Sequence, residues 1–114
     1  NQSIIRAAAR ALKLPLWVDQ DTIASPATTA LCPPPPITVE AIRSELRAQF
    51  NITVAGGQGE LNGKIFRIGH LGAVFPRDML TVTSALECVL ACLNHSQALL
   101  GVGTQAAQKQ WLSQ

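Results

Sequence analysis

One arginine lies in the middle of an apolar, strand-like run and is the residue best suited to chemistry. Arg67 is flanked by Ile65-Phe66 on one side and by Ile68-Gly69 on the other. A guanidinium rarely lies within a small sheet unless a carboxylate partner or a ligand compensates its charge. Because side chains alternate across a strand, Phe66 and Ile68 can face a core while Arg67 faces the opposite side. Two interpretations follow from the residues alone, a solvated surface charge and a bidentate site for an acidic group.

The other reactive side chains form no recognisable constellation. Neither His70 nor His95 has a Ser or Cys with an orienting carboxylate at the spacing of a nucleophilic triad. Cys88 and Cys92 are four residues apart and would need two further ligands to hold a metal, so we expect free thiols buried in a core helix. With Cys32 the cysteines are odd in number, which does not predict a disulfide framework and favours a reducing, cytoplasmic location.

The glycine-rich run 56–63 matches neither of the common phosphate-binding loops. A P-loop needs Gly at the position of Gln58, and Ser or Thr at the position of Ile65, which follows Lys64. A dinucleotide-binding loop needs Gly at the position of Asn62 and a helix after it, whereas a strand pattern follows. We therefore expect no nucleotide site in this run.

The elements that must position Arg67 follow from periodicity, caps and helix breakers. Helices are predicted over residues 2–13, from the N-cap Thr38 to Phe50 and from Pro76 to about Asn94, and strands over 28–32, 52–55 and 64–70. Asn62-Gly63 predicts a hairpin between the last two strands. Residues 98–102 are either an edge strand or a turn of helix, and the last ten residues are a short helix or a tail.

This order of elements predicts an α+β two-layer sandwich with a small, mainly antiparallel sheet and helices on one face. We expect a single domain over residues 1–114.

The chain is 47% hydrophobic and 14% charged, which excludes a disordered protein. It has no Tyr and no Lys/Arg cluster, so we expect no nucleic-acid partner, and no apolar run is long enough to cross a membrane. Its helical start at Asn1 and its low charge favour a fragment of a larger protein, with part of its apolar surface forming an interface.

The run from Ala55 to Gly72, which contains Arg67-Ile68-Gly69 and a glycine three residues later, closely resembles a signature of the class V, PLP-dependent aminotransferases. Its branch is that of the serine- or alanine-glyoxylate aminotransferases, which includes cyanobacterial proteins labelled soluble hydrogenase 42 kDa subunit. The resemblance covers essentially the whole chain. It implies that the chain is the C-terminal small domain of such an enzyme and that Arg67 grips the α-carboxylate of the amino-acid substrate.

The resemblance also implies what the chain lacks. The family's Schiff-base lysine and its other pyridoxal-phosphate ligands belong to an upstream large domain, and Lys13, Lys64 and Lys109 match none of those positions. The expected activity is therefore transamination by the full-length protein, with Ala or Ser as donor and glyoxylate as acceptor, while the fragment alone is inactive. Expected partners are the large domain of the same chain, amino-acid and 2-oxo-acid substrates, and a second copy in a homodimer.

A non-catalytic alternative stays open. If residues 98–102 form a strand, residues 28–102 follow the order β-α-β-β-α-β, which is typical of ferredoxin-like regulatory modules that bind an amino acid. The order of elements cannot separate these two interpretations, because one fold serves many functions.

Overall fold

Helices cover one face of a small antiparallel sheet. The computed structural model describes residues 2–17, 28–69, 76–95 and 100–113. Within these ranges the helices are α1 (Gln2–Ala11), α2 (Val39–Phe50), α3 (Pro76–Cys92) and α4 (Val102–Leu112), and the strands are β1 (Thr28–Leu31), β2 (Ala55–Gly56) and β3 (Phe66–Gly69). A short 3-10 turn spans Gly59–Leu61. The α+β two-layer architecture predicted from the sequence is confirmed.

Strand β3 is the centre of the sheet, which has the order β1-β3-β2. Both of its neighbours are antiparallel to it. The outer edge of β1 is also occupied, because Leu16 forms an antiparallel bridge with Leu31 and the Trp17 amide donates to the Ala30 carbonyl over 3.0 Å. The segment that follows α1 therefore pairs with the sheet.

The three helices that the sequence predicts are observed as α1, α2 and α3, with small shifts at their ends. Thr38 caps α2 as expected, since its Oγ1 accepts a hydrogen bond of 3.1 Å from the Ala41 amide. Asn51 ends that helix with φ 54°. The chain's last residues form α4 rather than a tail. No helix in the described ranges combines the length and the apolar character that a bilayer-spanning segment needs.

The strands around Arg67 are shorter than predicted. Of the predicted strand 52–55 only Ala55 pairs, together with Gly56 just beyond its end, and β3 begins at Phe66 rather than at residue 64. The connection over 57–65 is not a two-residue turn, because Asn62 has φ −59° and such a turn needs positive φ at both central residues. The 3-10 turn forms in its place. It leaves no room for a Cβ at residue 57, where the Leu61 carbonyl oxygen would collide with it.

The core lies between the sheet and the helices, and it includes Leu31, Phe66 and Ile68 from the strands. Helices α1 and α4 approach each other closely at Gly103. A Cβ at that position would come within 2.6 Å of the Leu12 Cγ, so only glycine fits there without moving Leu12. His95 joins the same region, because its Nε2 lies 3.0 Å from the Leu12 carbonyl oxygen.

A buried carboxylate connects α3 to the beginning of α4. Glu87 is only 4% exposed and accepts hydrogen bonds of 2.7 Å from the amides of Gly101 and Gly103. Thr104 adds longer bonds from its amide (3.3 Å) and its hydroxyl (3.4 Å). The first amides of a helix have no partner within the helix, and a negative charge is favourable there. Residues 100–102 are thus a turn and the start of α4 rather than an edge strand, while 98 and 99 lie outside the described residues.

We expect Glu87→Gln to lower the free energy of unfolding by about 1–3 kcal/mol, because one acceptor oxygen becomes an NH2 group that faces a backbone N–H. Urea unfolding followed by circular dichroism measures this change. Glu60→Gln is the matched control, since Glu60 is exposed in the 3-10 turn. Equal stability of the two variants would contradict the capping role.

Candidate functional site

Arg67 lies on the face of the sheet opposite to the buried Phe66 and Ile68, and this face is called the open face below. Its neighbours Phe66 and Ile68 are buried against the helices, while Arg67 itself is half-buried. The residues directly opposite it on both adjacent strands are alanines, Ala30 on β1 and Ala55 on β2. Their single methyl groups cannot cover a guanidinium. The alternation predicted from the sequence is thereby observed, and the arginine is accessible from the open face.

One hydrogen bond fixes the orientation of the Arg67 side chain. Its Nε donates to the carbonyl oxygen of Gly56 over 2.9 Å. A guanidinium carries five N–H donors, so the four on the two Nη atoms remain for a ligand. In the part of the chain that the structure describes, no carboxylate forms an ion pair with Arg67. The geometry thus offers a planar, fixed fork that can take a carboxylate end-on.

A cleft of about 420 Å³ adjoins this arginine. It opens where residues 52–54 diverge from β3 and no longer pair with it. Its walls are mostly apolar, with Asp78 in the first turn of α3 as a second charged group; they include Ile52, Val54, Met79 and Val82. Small-molecule sites combine apolar walls with a few fixed polar groups. This cleft therefore suits a small ligand with an acidic end.

The remaining polar and reactive groups are not assembled into a site. Among the described residues, no group of three or more His, Cys, Asp or Glu side chains could hold a metal ion. His70 lies outside the described residues. The lysines at positions 13, 64 and 109 are all exposed. Among the described residues that line the cleft, Arg67 and Asp78 are the charged ones.

The prediction that Cys88 and Cys92 are buried in the core is wrong. Cys88 is half-buried and Cys92 is exposed. They follow the core residues Leu86 and Leu90 by two positions each, which turns them about 200° away around the helix. Cys32, after β1, is also a half-buried free thiol. Burial raises the pKa of the Cys32 thiol above its usual range.

The chain is similar in sequence and in structure to parts of known proteins. The chain is 50% identical over 104 residues to a soluble hydrogenase small subunit of Synechococcus sp., an alignment that covers 91% of this chain and 27% of that protein. The crystal structure of a ureidoglycine–glyoxylate aminotransferase from Bacillus subtilis superposes with a TM-score of 0.89 at 33% identity, over 97% of this chain and 28% of that one. The crystal structure of a pyridoxamine–pyruvate aminotransferase from Mesorhizobium loti gives 0.86 at 30% identity, over 98% and 29%. No protein-family model matches the chain.

The fold is therefore a small α+β domain that matches the small domain of aminotransferases. The chain is homologous to the class V aminotransferases of the serine/alanine–glyoxylate type, as its resemblance to that signature predicts. It spans between a quarter and a third of the length of these relatives.

The exposure of the thiols predicts different reactivities toward iodoacetamide near pH 8. Cys92 is expected to react faster than Cys32, because the raised pKa of Cys32 lowers its thiolate fraction and its half-burial restricts access. Timed alkylation followed by peptide mass spectrometry measures both rates in one sample. The difference is expected to disappear in denaturant, and faster reaction at Cys32 in the folded protein would contradict the structure.

Proposed function

We propose that this chain is the C-terminal substrate-binding domain of a pyridoxal-phosphate-dependent aminotransferase. We also propose that Arg67 binds the α-carboxylate of its substrates. The observation that carries the proposal is the Arg67 guanidinium itself, which lies on the open face of the sheet with its Nε fixed to Gly56 and forms no ion pair with a carboxylate of the described residues. Homology to aminotransferases supplies the chemical context.

Arg67 binds the group that the two substrates have in common. An amino acid and a 2-oxo acid share a carboxylate, so one bidentate site can hold either of them in turn. Fixing that end restricts the rotation of the substrate and sets the position of its Cα, which lowers the entropic part of the barrier. Because Gly56 occupies Nε, the substrate carboxylate is bound by the two Nη groups.

The cofactor is assigned to a large domain of the same chain. Pyridoxal phosphate, when bound, supplies the electron sink that transamination needs. The described residues that line the cleft include no lysine, and the glycine-rich run 56–63 does not have the pattern of a phosphate-binding loop. The residues present fit a carboxylate but not the cofactor. We therefore propose that the open face, with Ala30, Ala55 and Arg67, is turned toward that large domain.

The substrates are proposed to be small. Glyoxylate as acceptor agrees with the name of the Bacillus subtilis relative, a ureidoglycine–glyoxylate aminotransferase, and alanine or serine as amino donor follows from the resemblance to the family. They also agree with the modest volume of the cleft. A cytoplasmic homodimer completes the proposal, since the reducing location follows from the free thiols and the dimer from the resemblance to the family.

The ferredoxin-like alternative is less well supported. It shares the sheet order β1-β3-β2 with this chain, but it requires another strand to join the sheet. The outer edge of β1 is already paired with the segment around Leu16, and residues 100–102 are a turn and the start of α4. These observations favour the aminotransferase interpretation.

In the full-length enzyme, Arg67→Ala is expected to raise KM for the amino acid by roughly a hundredfold, since a charge-assisted bidentate contact is lost. Arg67→Lys is expected to fall between wild type and Arg67→Ala, because an ammonium keeps the charge but not the planar fork. Steady-state kinetics measures KM, and titration of the apoenzyme measures cofactor affinity, which is expected to change much less. Arg47→Ala is the control, because Arg47 is exposed and its guanidinium donates to the Thr53 hydroxyl, away from the cleft residues named above. An unchanged KM in Arg67→Ala would overturn the carboxylate role.

The isolated chain is expected to show no transaminase activity and no saturable change in the visible absorbance of added pyridoxal phosphate. The reason is that the cofactor ligands are proposed to lie in the large domain. Absorbance titration and a coupled alanine–glyoxylate assay test both points, with the full-length enzyme as positive control. Turnover by the chain alone would refute this division between the domains.

A further inference from the structure

A second arginine lies behind the proposed carboxylate site. We propose that Arg43 is a positioning residue, which orients Arg67 through the backbone of residues 54–56. The inference rests on the proposed function of Arg67 and adds a residue on a different element, helix α2.

The first contact joins α2 to the segment that precedes β2. The Nε of Arg43 donates to the carbonyl oxygen of Val54 over 3.1 Å. The Val54 side chain is buried in the core, so this carbonyl is held from two directions. A guanidinium is planar and stiff, and a hydrogen bond from its Nε also fixes where its Nη atoms lie.

The second contact is at Gly56. This residue is directly opposite Phe66 in the ladder, so a side chain at position 56 would point toward the helices. A Cβ built there would be 3.1 Å from Nη1 of Arg43 and 3.7 Å from its Cζ. The Arg43 guanidinium therefore occupies the space that a side chain at residue 56 would fill, and it supports this glycine from the helix side.

The third contact is the bond from Arg67 Nε to the Gly56 carbonyl oxygen. Gly56 thus lies between two guanidiniums, with Arg43 on the helix side and Arg67 bonded to its carbonyl. Strand β2 has only two residues and is an edge strand, so the ladder alone constrains that carbonyl weakly. Arg43 compensates for the short strand by fixing the backbone at Val54 and Gly56.

The contact of Arg43 with Glu40 does not explain its placement. Their atoms are 3.4 Å apart, and the Glu40 side chain is 82% exposed, so solvent screens this ion pair. The bond to the Val54 carbonyl and the packing against Gly56 are the contacts that constrain Arg43. Its role depends on the shape of the guanidinium, and a positive charge alone would not reproduce it.

The test is a double-mutant cycle in the full-length enzyme, with KM and kcat measured for the amino acid. Arg43→Met keeps an unbranched stem but removes every donor, and we expect it to raise KM roughly three- to tenfold with kcat at saturation little changed. In the Arg67→Ala background the same substitution is expected to change KM less than about twofold, because it acts through Arg67. Arg43→Lys is expected to resemble Arg43→Met rather than wild type.

Two further variants separate positioning from loss of fold and from loss of charge. Gly56→Ala places a methyl group against the Arg43 guanidinium. It is expected to raise KM as well, but by less than Arg43→Met does. Arg47→Met removes a charge one turn further along α2, where the side chain donates to the Thr53 hydroxyl, and is expected to leave KM unchanged. Circular dichroism of each variant verifies the fold.

The outcomes distinguish the two proposals. Equal effects of Arg43→Met with and without Arg67, a wild-type KM in Arg43→Met, or a wild-type KM in Arg43→Lys would each overturn the positioning role and leave the carboxylate role of Arg67 standing. An unchanged KM in Arg67→Ala would overturn both. A three- to tenfold rise in KM that depends on Arg67 and is not rescued by lysine supports the positioning role.

Discussion

The pairing of β3 with the two-residue strand β2 is the constraint on which the site depends. This register places Ala55 beside Arg67 on the open face and Gly56 beside Phe66 on the core face. Ala55 thus leaves room for the Arg67 guanidinium, and Gly56 supplies the carbonyl that orients it. A slip by one residue would exchange the two faces of the strand, burying the charge and exposing Phe66. The fully buried Phe66 therefore fixes the register on which the accessibility of Arg67 depends.

The helical layer stabilises this arrangement from the opposite side. Helix α2 contacts the segment before β2 through Arg43, and the first turns of α3 form a wall of the cleft. Further along α3, Glu87 connects that helix to α4, which packs closely on α1 at Gly103. The side chains that shape the site and those that join the helices therefore lie along the same helix. Glu87 is far from Arg67, but it contributes to the position of the cleft wall because it holds α3 against α4.

The sequence predicts the parts of this structure that depend on local patterns. The apolar stripe of α2 with its cap at Thr38 and the alternation around Arg67 need only neighbouring residues, and both are observed. The cap that Glu87 provides to α4 joins residues 14 to 17 positions apart, and no local pattern reveals it. The hairpin predicted around Asn62-Gly63 forms between β2 and β3, but its connection is longer than these two residues and includes the 3-10 turn at Gly59–Leu61.

Local sequence patterns also predict only part of the candidate site. Arg67 is conspicuous in the sequence because a charge interrupts an apolar strand, whereas Arg43 resembles any other charged residue of an amphipathic helix. Its importance becomes visible only when the fold brings α2 beneath Gly56. The misplaced thiols have a related cause, since a helix with apolar residues on several sides does not reveal which face is turned to the core.

A crystal structure of the full-length protein with a bound substrate-like carboxylic acid is the measurement that tests the carboxylate role of Arg67. We expect both carboxylate oxygens to lie at charge-assisted hydrogen-bond distance, about 2.7–2.9 Å, from the two Nη atoms of Arg67, with the bond from Nε to Gly56 retained. A carboxylate held by other groups, with the Arg67 guanidinium remote from it, would contradict this role.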